Sequence, residues 1–80
     1  KLEQVKAVHK ARPFRPFTLR LTDGRAVHVA HPEVLAFLGA GRTIAVSYPK
    51  TDHFELIDLL LVNSVEVGKP QGGERKRRAG

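Results

Sequence analysis

The feature that most constrains this chain is a run of alternating side chains folded about one Asp-Gly pair. Phe17, Leu19 and Leu21 alternate with Thr18, Arg20 and Thr22. After Asp23-Gly24 come Val27 and Val29, alternating with Ala26, His28 and Ala30. Period-two alternation on both sides of a turn pair predicts a β-hairpin over residues 17–31. Its register follows from side-chain size. A two-residue Asp23-Gly24 loop pairs Leu21 with Ala26 and Leu19 with His28, and sends Val27 and Val29 to the opposite face. A three-residue loop, Thr22-Asp23-Gly24, pairs Leu21 with Arg25, Leu19 with Val27 and Phe17 with Val29. Only this second register gathers the large apolar side chains on one face. We therefore expect a type I turn with a glycine bulge and Gly24 at positive φ, with Thr18, Arg20 and His28 sharing the other face.

The flanking segments read less sharply. Leu2, Val5 and Val8 step by three, with Ala7 and Ala11 as helix-favouring filler, which predicts a helix over residues 1–11. Pro13 disfavours helix at Arg12 and ends it. So short a helix needs a docking surface to be stable. Arg12-Pro13-Phe14-Arg15-Pro16-Phe17 is an extended connector anchored by two rings. His31 to Gly39 reads as a short helical turn, with Pro32 at its first position, Glu33 after it and Gly39 closing it. Further strands are expected at 43–48, with Ile44, Val46 and Tyr48 on one side, and at 53–57, with Phe54 and Leu56 alternating. Asp58-Leu59-Leu60-Leu61 predicts a tight corner, and a last strand follows at 62–67 with Val65 and Val67 inward. From Gly68 the composition turns linker-like and then charged, so residues 69–80 are expected to form a flexible basic tail behind a single domain, 1–68.

Eighty residues suit one domain with a thin core, since a chain of this size buries only roughly 60–65% of its unfolded surface. Cysteine is absent, which excludes disulfides and thiolate metal sites. The longest apolar run, residues 59–62, is far short of a membrane span, and no leader-like stretch opens the sequence. A cytoplasmic location without membrane contact is expected. The net charge of +6 is unevenly placed. Residues 1–20 carry six Lys/Arg against Glu3, residues 21–68 carry three against six acids, and residues 69–80 carry five against Glu74. Basic ends on an acidic body suit an anion-facing end, or a positive surface on one copy meeting a negative one on the next.

Helix, strand, turn, strand, helical turn, strand, turn, strand, corner, strand is the expected order. Five short strands in so small a chain favour a partly open barrel of SH3-like type, mainly β, with the leading helix over its open end. The order resembles the Sm-like fold, which includes the bacterial Sm-like RNA chaperone. Phe17-Thr18-Leu19-Arg20-Leu21-Thr22-Asp23-Gly24-Arg25 looks like the first Sm motif. Phe54-Glu55-Leu56-Ile57-Asp58, followed by residues 62–67, looks like its last two strands. The chain departs from that family at His28 and Val29, where a glycine is usual, and it has no clear match to the uridine-ligating Asp and Asn. It also looks like a group of short, uncharacterised bacterial proteins. They share its Arg-Pro-Phe-Arg-Pro-Phe start, Asp-Gly-Arg hairpin, His-Pro-Glu turn and Ile-Asp-Leu-Leu-Leu-Val end.

Catalytic material is sparse. Ser47 and Ser64 sit in no nucleophile elbow, Asp52-His53 is a neighbouring pair in a turn, and Gly39-Ala40-Gly41-Arg42 lacks the lysine of a phosphate loop. His28 and His31 lie three apart on a strand and so point to opposite faces. His53 and Asp52 complete no ligand spacing with them. No catalytic residue, metal or cofactor is expected, and the protein is not expected to be an enzyme. The expected function is a self-associating binding module that contacts RNA or DNA through Lys6, Lys10, Arg12, Arg15, Arg20, Arg75, Lys76, Arg77 and Arg78. Phe14 and Tyr48, the candidate stacking platforms, are expected in the core. The alternative is an adaptor or accessory subunit that takes a protein partner through exposed strand edges, with the strands at 62–67 and 43–48, both free of proline, as the candidate edges.

Overall fold

A computed structural model describes residues 2–68. The expected tail, with Arg75, Lys76, Arg77 and Arg78, lies outside the described residues. The chain is mostly β, with one leading helix and six strands in two three-stranded antiparallel sheets.

Helix α1, Leu2–Lys10, carries Glu3 in its first turn and His9 and Lys10 in its last, which suits the helix dipole at both ends. The Arg12 guanidinium donates to the carbonyls of His9 and Ala11 at 3.2 and 2.8 Å. Orphan acceptors at the helix end are thereby satisfied just before Pro13. One face of α1 docks. Val5 is fully buried, and Leu2 and Val8 pack on the same core. His9 adds a long-range tether, its Nε2 lying 2.8 Å from the carbonyl of Pro32.

Strands β1, Phe17–Leu21, and β2, Ala26–Val29, form the expected hairpin. Phe17 pairs with Val29 and Leu19 with Val27. The Leu21 amide donates to the Arg25 carbonyl at 2.9 Å, the Gly24 amide donates to the Leu21 carbonyl at 3.0 Å, and Gly24 has φ +93°. Phe17, Leu19, Leu21, Val27 and Val29 are all buried. On the opposite face the Thr18 hydroxyl lies 3.1 Å from Nδ1 of His28.

The next segment corrects the sequence reading. Only Pro32–Val34 forms a helical turn, and Leu35–Leu38 is strand β3. The domain therefore has six strands where five were expected. Leu35, Ala36 and Leu38 favour helix intrinsically, but a single isolated turn of helix is unstable. Pairing with β4, Thr43–Tyr48, supplies a ladder instead, with Leu35 opposite Val46 and Phe37 opposite Ile44. Tertiary pairing overrides local propensity here.

Strand β5, His53–Asp58, extends this sheet to the order β3-β4-β5, so β4, expected as an edge, is the central strand, paired on both sides. The expected corner is a helical turn, Leu59–Leu61, capped by the Asp58 carboxylate, which accepts from the Leu60 amide at 2.9 Å. Strand β6, Val62–Val67, then returns to β1 and completes the order β2-β1-β6. Its register shifts by one residue. Arg20 faces Ser64 whereas Leu21 faces Val62, so Asn63 is the extra residue of a bulge. The bulge lets Val62 face inward with Val65. Val67, expected inward, stays 48% exposed at the end of the sheet.

Inward side chains of both sheets and Val5 of α1 form one core cluster. No ladder joins the two sheets among the described residues, so they do not close into a barrel. No described helix is long and apolar enough to cross a membrane.

Candidate interaction surfaces

The hairpin tip is held to the second sheet by a chain of polar contacts. The Asp23 carboxylate accepts from the Arg25 amide and from Arg25 Nε, each at 3.0 Å. Arg25 Nη1 donates to Glu55 Oε2 at 2.7 Å, and the Tyr48 hydroxyl donates to Glu55 Oε1 at 3.1 Å. The His53 ring stacks on Tyr48 with centroids 4.8 Å apart. The Arg25 amide holds the Asp23 carboxyl below its usual range. The hydrogen bond from Arg25, with a further one from Tyr48, does the same for Glu55. Burial, reinforced by the neighbouring Glu55 carboxylate, pushes the Tyr48 phenol up. Both oxygens of Glu55 are engaged, so this chain of contacts works as a clamp between sheets.

Glu55 points inward, so its neighbours on β5 point out. Phe54 and Leu56 are 66% and 58% exposed. They project from the outer face of the β3-β4-β5 sheet, opposite Ser47 and Ala45. Leu38 extends this apolar face at the far edge, and Leu60 stands out from the following turn at 65% exposure. Alternation along 53–57 placed Phe54 and Leu56 together without fixing which face was buried. The signal that settles it is the corner. Ile57 and Leu59 are both buried, which forces the opposite parity on Phe54 and Leu56.

A shallow cleft of about 320 Å³ lies at the end of β5, lined by Leu2, Gly41, Arg42, Asp58, Leu59 and Leu60. Its floor is apolar, and Arg42 and Asp58 stand among its walls. A second hollow, about 200 Å³, lies beside the Tyr48–His53 stack.

The basic residues singled out from the sequence are dispersed. Lys6, on α1, lies 6.0 Å above the Phe37 ring, and Lys10 is exposed in the last helical turn. Arg12 is engaged with the end of α1. Arg15 is exposed beside Gly68. Arg20 sits on the outer face of the β2-β1-β6 sheet, paired with Glu66 at 3.2 Å. Lys6, Lys10 and Arg15 form no ion pair among the described residues. Phe14 and Tyr48 pack against the core. The aromatic side chain that reaches solvent is Phe54. Among the described residues no three His, Asp or Glu side chains converge as metal ligands.

No family model matches the chain, and no curated protein or solved structure matches it.

Proposed function

We propose that this chain is a non-catalytic binding module that self-associates through its strand edges, on an Sm-like, SH3-like plan. The observation that carries the reading is the set of edges left without a partner among the described residues, where strand β5 pairs only with β4, and β6 only with β1. Neither contains proline, and β5 bears Phe54 and Leu56 on its outer face. An unprotected edge beside exposed apolar side chains is a template for another strand. The charge split supports a second copy as that partner, because a basic amino-terminal segment can meet an acidic body. The Sm-like plan draws support from the order of elements. If β2 and β3 count as one strand broken at Pro32, five remain in the expected order.

Light scattering over a range of concentrations tests this. The expected mass is at least twice the 8.9 kDa of one chain. A strict monomer at high concentration overturns the reading.

A second reading is contact with RNA or DNA through the basic segments. Lys6, Lys10 and Arg15 favour it, since they have no acidic partner among the described residues. Titration of single-stranded RNA and of duplex DNA tests it. Salt-dependent affinity that loses roughly one unit of log-log slope per cation removed is expected on Lys6→Gln or Lys10→Gln. No binding at low salt removes it.

A further inference from the structure

We infer that two copies pair β5 against β5 about a two-fold axis, joining their β3-β4-β5 sheets into one. The inference rests on the self-association reading and names its geometry.

The edges differ in what flanks them. On β6 the outward side chains include Ser64 and Glu66, the latter engaged by Arg20. On β2 they are Ala26 and His28. Pairing β5 with β6 of another copy would set Phe54 and Leu56 beside Ser64 and Glu66. Pairing β5 with itself sets apolar beside apolar; pairing it with the β3 edge of another copy, which bears Ala36 and Leu38 outward, does so too but is heterologous and does not close about a two-fold axis.

Charge and overlap then choose the register. Continuous sheet faces require outward residues to oppose outward residues. An axis through Glu55 puts the two Glu55 carboxylates opposite each other and Asp58 opposite Asp52, which like charges disfavour. An axis through Phe54 aligns only His53 to Glu55 within β5, because the strand begins at His53. An axis through Leu56 aligns five strand residues. Leu56 meets Leu56 and Glu55 meets Ile57, with Phe54 diagonal to Leu56 of the other copy. No like charges are opposed. The ladder ends where the strand ends, with Phe54 of each copy opposite Asp58 of the other, because Leu59–Leu61 turns away as a helical turn.

Leu56 is exposed, so its substitution spares the core. The expected result is that Leu56→Lys and Leu56→Glu each weaken association by roughly tenfold or more. Mixing the two variants in equal amounts restores the wild-type mass, because Lys then faces Glu across the axis. Ser64→Lys, on β6, leaves association intact. The chain has no cysteine, so Leu56→Cys is also expected to cross-link to dimer under oxidation while Ser64→Cys does not. If wild type is multimeric but Ser64→Lys disrupts it and Leu56→Lys does not, the β5 pairing is overturned and self-association stands. Loss of mass in the mixture as in each variant alone overturns the two-fold geometry. A monomeric wild type overturns both.

Discussion

Arg25 and Glu55, thirty residues apart in sequence, meet at 2.7 Å. The contact joins the tip of the β1–β2 hairpin to the middle of β5, and so ties one sheet to the other where no backbone ladder among the described residues does. Tyr48 donates to the second oxygen of the same carboxylate.

The clamp makes stability depend on pH. The carboxyls of Glu55 and Asp23 titrate lower in the folded chain than in the unfolded one. Their contribution is therefore complete above the ordinary carboxyl range and is lost as pH falls through their folded values. The urea midpoint is expected to fall between pH 6 and pH 3. Glu55→Gln should lower it modestly at pH 6 and flatten the fall. An unchanged pH profile in Glu55→Gln would contradict the clamp.

Val5 is the fully buried residue of α1, and it decides whether the helix docks. Val5→Ala is expected to cost about 2 kcal/mol, from lost apolar burial and the cavity left behind. Denaturation in urea at constant m-value measures it. A cost below about 0.5 kcal/mol would mean that the site collapses freely.

Two turn glycines separate backbone strain from packing. Gly24 has φ +93° with open space around it, so Gly24→Ala carries only the conformational cost of about 1–2 kcal/mol. Gly41 has φ +89°, and a Cβ there would lie 3.2 Å from a Leu2 methyl carbon. Gly41→Ala is expected to be more destabilising and to loosen α1. Thermal unfolding of both variants, with amide exchange along residues 2–10, distinguishes them.

The hairpin was legible because two local signals, alternation and the Asp-Gly turn, agreed with each other. The corner at 59–61 was legible for the same reason, since Asp58 precedes a leucine run. Strand β3 was not. Leu35, Ala36 and Leu38 have helical propensity, and Gly39 looks like a helix stop. What decides the outcome is the ladder to β4, which local sequence does not contain. The outward face of β5 was half legible. Alternation grouped Phe54 with Leu56, but the burial side is set by Ile57 and Leu59, which pack inward at the corner. Arg20, expected to contact nucleic acid, is held by Glu66, which lies diagonally across the β1–β6 ladder, opposite Thr18.

The extra residue at Asn63 makes the chain's tolerance to shortening lopsided along β6. Loss of Asn63 or Ser64 would straighten the ladder and leave Val62, Val65 and Val67 facing Leu21, Leu19 and Phe17 as they now do. Loss of Glu66 would turn Val67 over to the side that Glu66 now occupies. One half of the strand can absorb a deletion, and the other half is metered residue by residue.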